Sequence, residues 1–200
     1  SGATLAGCRE SRPLGSRGVR EPPDAGRRRV DRRPRRPHER TMKIAITGSS
    51  GLVGTALAKA LEARGDVVLR LVRREPRGPS EVRWSPSARE VDVAGLAGVD
   101  AIVHLAGENI ADGRWTDARK RSIRDSRVDG THAVARAVAE LGTRPALISA
   151  SAIGIYGDRG DEALTEESPA GSGFLADVCV AWEAAADEAR AAGARVVHPR

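Results

Sequence analysis

Thr47-Gly48-Ser49-Ser50-Gly51-Leu52-Val53-Gly54 sets three glycines in a GxxGxxG pattern between an apolar run and an Ala/Leu-rich run. Such a turn can bind an anion. Gly48 permits a tight exit from a strand, Gly51 lets backbone approach a pyrophosphate, and Gly54 lets the following helix pack closely. The phosphates would sit against Ser49, Ser50 and the N–H groups of Leu52 and Val53, where the helix dipole favours negative charge. Arg73 and Arg74 follow about 20 residues later. An acid at that point would bind ribose hydroxyls, whereas arginine pairs with a 2′-phosphate. The expected cofactor is therefore NADP rather than NAD. The ordinary alternative for both arginines is a solvated surface position.

Acid/base chemistry has four candidates: Glu108, Tyr156, Cys179 and Glu183. Tyr156 is the only tyrosine, and Cys179 and Glu183 stand one helical turn apart. Each also has a structural reading. Cys179 suits a small core position, Tyr156 can pack over the cofactor or a loop, and Glu183 can pair with an arginine. His104 sits in an apolar run and reads as a core histidine. No spacing among His104, His132, His198 and the two cysteines fits a metal site, so no metal is expected.

These residues need a frame that brings loop ends together. Lys43–Thr47 and Val67–Val72 are β-branched runs, with a helix at Leu52–Arg64 between them that stops at Gly65. Further strands are expected at 81–84, 100–106, 146–151 and 194–198, and helices at 116–141 and 174–192. Alternation of strand and helix predicts an α/β fold, an open doubly wound parallel sheet of Rossmann type with helices on both faces. Ending on a strand with no following helix, the chain is expected to be truncated at its C-terminus.

Charge separates two regions. Residues 1–41 hold 12 Arg and 5 acids, a net of +7, whereas residues 42–200 hold 21 basic and 22 acidic residues, a net of −1. The basic excess belongs to the N-terminal segment, so a basic nucleic-acid-binding domain is not supported. That segment has five prolines and no aromatic residue, and it is expected to be a disordered tail. Met42 is the only methionine, and the natural start is expected there, with 42–200 as the NAD(P)-binding domain. A salt-sensitive nucleic-acid arm is the alternative for the tail. Two cysteines, Cys8 and Cys179, make no disulfide scaffold, which fits a reducing cytoplasm. No apolar run reaches the length of a membrane span.

Taken together, TGSSGLVG, the HLAG at 104–107 and SASAIGIYG at 149–157 resemble the extended short-chain dehydrogenase/reductase superfamily. LAGENI with Trp115, Ser126-Arg127 before Thr131, YGDRGD at 156–161 and FLADVCVAWE at 174–183 resemble its atypical epimerase-family subgroup. The resemblance implies a dinucleotide site with Leu105, Ala106 and Gly107 beside the cofactor, and a small-molecule substrate. It also implies a catalytic Ser, Tyr and Lys, and these do not carry over. The 174–192 helix has no Tyr and no Lys, Ala152 stands four residues before Tyr156, and Arg127 stands where Asn is expected. One register puts Cys179 and Glu183 in the places of Tyr and Lys. The expectation is an NADP-binding oxidoreductase or epimerase-like protein of atypical mechanism, the alternative a non-catalytic NADP-binding regulator or scaffold. The acids Asp158, Asp161, Glu162, Glu166 and Glu167 read as a solvated loop, or else as a lid.

Overall fold

A computed structural model describes residues 40–200. The expected disordered tail lies, apart from Arg40 and Thr41, outside the described residues. Among the described residues seven strands form one sheet: β1 (Lys43–Thr47), β2 (Val67–Val72), β3 (Glu81–Ser85), β4 (Glu90–Val91), β5 (Ala101–His104), β6 (Ala146–Ser149) and β7 (Val196–Val197). Their order is β4-β3-β2-β1-β5-β6-β7, with every pair parallel except the β3–β4 hairpin. Helices α1 (Leu52–Arg64), α2 (Asp117–Glu140), α3 (Phe174–Ala184) and α4 (Asp187–Ala191) connect the strands.

Strand parity sorts the core into two layers. Ile44, Ile46 and Val68 pack with Ala58 of α1 on one face. Ala45, Leu69, Leu71, Ile102 and Leu147 pack with Val134, Ala137 and Val138 of α2 and Ala189 of α4 on the other. This is the doubly wound arrangement, and the order of strands reverses at β1. The helices that follow β1 and β5 therefore lie on opposite faces of the sheet, and a crevice is left at its C-terminal edge, where such sheets take ligands.

Several boundaries differ from those read in the sequence. The run 100–106 ends as a strand at His104, because the N–H groups of Leu105 and Ala106 donate to Thr47 Oγ1 (3.1 and 3.2 Å) instead of to a strand. The expected helix at 174–192 is broken between α3 and α4. Ala186 N–H donates to Glu183 O and Ala189 N–H to Ala186 O, an i to i−3 tightening around two buried alanines, Ala185 and Ala186. Hairpin strand β4 and the 3₁₀ turn Ile153–Tyr156 were not legible. Both are too short for periodicity to show.

Candidate functional site

The glycine turn is closed by contacts that exclude side chains. Gly48 has φ +66° and lies against the loop after β5. A Cβ there would stand 2.9 Å from the Leu105 carbonyl carbon and 3.0 Å from Ala106 N. A Cβ on Gly54 would stand 2.2 Å from Gly48 O, well inside contact distance. The close approach at Gly54 is thus to the turn's own backbone, which corrects the sequence expectation of helix-to-strand packing. Gly51 is the N-cap of α1, with no side-chain cap and no acid in the first turn. The first intrahelical bond is Thr55 N–H to Gly51 O, so the N–H groups of Leu52, Val53 and Gly54 have no intrahelical acceptor. Leu52 and Val53 beside them are 92% and 65% exposed.

A cleft of about 1070 Å³ opens at this point. It is lined by Gly48–Gly51, by Arg70–Arg74, by Glu81, Trp84 and Pro86, and by Leu105–Asn109 with Ser126. The loops after β1, β2 and β5 thus meet in one groove, and Ser49, Ser50, Arg73, Arg74, Leu105, Ala106 and Gly107 are all on its wall. A glycine cradle, an uncapped helix start and two arginines at the far end suit an elongated anionic ligand with a pyrophosphate in its middle.

Thr47 anchors the turn to the LAG loop. Its hydroxyl accepts from Leu105 and Ala106 and donates its single hydrogen to His104 Nδ1 at 2.7 Å. His104 is therefore the Nε2–H tautomer. Full burial pushes its pKa down to about 4. His104 is a core histidine with one nitrogen bonded, and its Nε2 has no partner among the described residues.

At the distal end, Arg74 grips Glu81 through Nη1–Oε2 (2.7 Å) and Nη2–Oε1 (2.6 Å), and Arg77 N–H donates to the same carboxylate at 2.7 Å. The Arg74 hydrogen bonds and the Arg77 amide hold the Glu81 carboxyl down at about 2. An acid therefore does enter the cleft, from β3 rather than from the end of β2. It could not be located in the sequence, since the β2–β3 pairing that carries it there is a tertiary fact. Among the described residues the Arg73 side chain has no hydrogen-bond or ion-pair partner, and it is exposed.

The four acid/base candidates do not converge on one point. Glu108 lies on the cleft wall but is bound by Ser122 and Arg119. The Ser122 hydroxyl, with help from Arg119 against partial burial, holds its carboxyl below the ordinary value. Tyr156, Cys179 and Glu183 gather instead between the 3₁₀ turn and α3, outside the cleft lining. Burial, reinforced by Glu183, pushes the Cys179 thiol up. Arg200 Nε and Nη2 donate to the two Glu183 oxygens (2.9 and 2.8 Å), and Arg200 Nη1 donates to Tyr156 Oη (2.9 Å). Burial raises Glu183, but the bonds from Arg200 and Ser151 outweigh it and keep the carboxyl below its ordinary value.

Two members of this group escaped the sequence reading. Ser151 Oγ donates to Glu183 Oε1 at 2.6 Å, so the hydroxyl facing α3 is Ser151. Ala152, four residues before Tyr156, is the N-cap of the 3₁₀ turn and carries no hydroxyl. Arg200 had no motif to mark it. Arg127, in the place expected for Asn, lies beneath Gly107. It donates to Glu108 O (3.1 Å) and Ile123 O (3.0 Å) and stacks over Trp182, with 5.1 Å to the ring centroid.

Comparison with known proteins agrees with this architecture. The profile of the NAD dependent epimerase/dehydratase family matches residues 44–196. An epimerase family protein of Mycobacterium bovis is 49% identical over 157 residues, which are 78% of this chain and 52% of that protein. A nucleoside-diphosphate sugar epimerase from Corynebacterium glutamicum superposes with a TM-score of 0.70 at 46% identity, over 80% of this chain and 34% of that one. Human epimerase family protein SDR39U1, solved with NADPH, gives a TM-score of 0.65 at 30% identity over 78% of this chain and 52% of its own. The chain spans about half the length of the curated relatives it matches. With a Rossmann sheet, a glycine cradle of nicotinamide-dinucleotide type and this profile match, the chain belongs to the NAD dependent epimerase/dehydratase family.

Proposed function

We propose that the chain is the cofactor-binding part of an NADP-dependent oxidoreductase or epimerase-like protein that acts on a small substrate by an atypical mechanism. The observation that carries the NADP preference is the distal end of the cleft, where, among the described residues, Arg73 is unpaired and Arg74 keeps donors free beside Glu81. Bound, the dinucleotide would supply hydride chemistry. The chain's residues would hold it: the 48–54 turn and the start of α1 around the pyrophosphate, Leu105–Gly107 along its length, Arg73 and Arg74 on the 2′-phosphate. The relative solved with NADPH supports this preference.

A second reading, a non-catalytic NADP-binding regulator, is favoured by one observation. Glu108 is tied into an ion pair, and Tyr156, Cys179 and Glu183 are buried or bonded away from the cleft. Fluorescence titration with NADPH and NADH tests the cofactor reading. Micromolar binding of NADPH with much weaker NADH supports it, and equal or absent binding by folded protein contradicts it. NADPH oxidation across a carbonyl panel, lost in Tyr156→Phe or Glu108→Ala, would then favour the enzyme over the regulator.

A further inference from the structure

Arg74 carries five N–H donors in a rigid plane. Nη1 spends its two hydrogens on Glu81 Oε2 (2.7 Å) and on the carbonyl oxygen of Glu75 (2.8 Å), and Nη2 spends one on Glu81 Oε1 (2.6 Å). The second Nη2 hydrogen and the Nε hydrogen remain. They lie on the same edge of the guanidinium, and neither has a partner among the described residues. Two parallel donors on one edge are the arrangement that takes two oxygens of a phosphate. Glu81 is itself fixed. It opens β3, opposite Arg70 in the parallel register, and it accepts the Arg77 N–H at 2.7 Å.

We infer that Glu81 is a positioning residue for cofactor specificity. It holds the guanidinium of Arg74 by its end, so that the free edge is presented to a phosphate monoester in the cleft. Glu81 also cancels much of the Arg74 charge, which leaves Arg73 as the net positive group there. The two effects of Glu81 oppose each other. Its repulsion of a phosphate is weakened by the high dielectric of a cleft open to water, whereas the freedom that Arg74 regains without it is not. Positioning is the larger effect. The inference rests on the reading of the cleft as a 2′-phosphate site.

The test is fluorescence titration of the whole chain with NADPH and with NADH, using wild type, Glu81→Ala, Glu81→Gln, Arg73→Ala, Arg74→Ala and the Glu81→Ala/Arg74→Ala pair. Glu81→Ala is expected to weaken NADPH binding by about tenfold with NADH changed less than about twofold. Glu81→Gln, which keeps one oxygen for Arg74, should fall between. The double variant should bind no worse than Arg74→Ala alone, because the two residues act as a unit. Unchanged or tighter NADPH binding by Glu81→Ala and Glu81→Gln, with Arg74→Ala still weakened, overturns the inference and spares the reading of the cleft. An NADPH-to-NADH ratio unchanged in both Arg73→Ala and Arg74→Ala overturns that reading itself.

Discussion

His104 and Thr47 illustrate how one hydroxyl can set the geometry of a loop. With both Thr47 acceptor directions taken by Leu105 and Ala106 N–H, its proton must go to His104 Nδ1. Full burial then keeps the imidazole neutral down to a pKa of about 4. In the unfolded chain it titrates near 6.5, so between those values the unfolded state binds the extra proton. Stability is complete above about pH 6.5 and falls as pH drops toward 4, by about 3 kcal/mol from this one group. Urea unfolding at pH 7, 5.5 and 4.5 should show that slope, and His104→Gln should flatten it. An identical slope in the variant would remove His104 as its source. At this scale the positions legible in the sequence were those beside the glycine turn and the end of β2, and Gly48 and Arg74 both line the cleft. It was silent on Ser151 and Arg200, whose partnership with Glu183 joins positions 32 and 17 residues apart.

Element α1 and the turn before it form a single object. Gly54→Ala puts a methyl group 2.2 Å from Gly48 O, and neither atom belongs to a side chain that could move aside. The helix must shift away from the turn, at a cost on the order of 1–3 kcal/mol. Nucleotide binding should fall with it, measured by NADPH fluorescence in folded variant protein. Unaltered affinity would show that the turn tolerates widening. At the β7 edge of the sheet, Arg200 links the chain after β7 to α3 through Glu183 and to the 157–172 loop through Glu166 O (3.1 Å). Glu183→Gln should loosen that strap and speed proteolysis in the acidic segment 158–167. A digestion rate equal to wild type would mean the loop holds itself. The long elements were legible because apolar spacing and the glycine stops agree with the fold. The α3–α4 break and the strand ends were not, since they follow from hydrogen bonds to distant residues.

For the whole molecule, binding and folding are linked. A ligand at a hundred times its Kd stabilises the folded state by about 2.7 kcal/mol. In a domain of this size that raises the midpoint of melting by roughly 5–10 °C. NADPH should give such a rise, and NADH at the same concentration a smaller one. Equal rises would point to a site blind to the 2′-phosphate. Fold class was open to sequence reading because strand–turn–helix alternation admits few topologies. The cleft was half open to it. Three loops could be named, but the entry of Glu81 from the neighbouring strand depends on β2–β3 register.

Calorimetric titration with adenosine 2′,5′-bisphosphate and with adenosine 5′-monophosphate isolates the central claim, because the two differ only in the 2′-phosphate. The bisphosphate is expected to bind at least about tenfold tighter, with the difference lost in Arg73→Ala/Arg74→Ala. Equal affinity for the two nucleotides in wild-type protein would contradict the account.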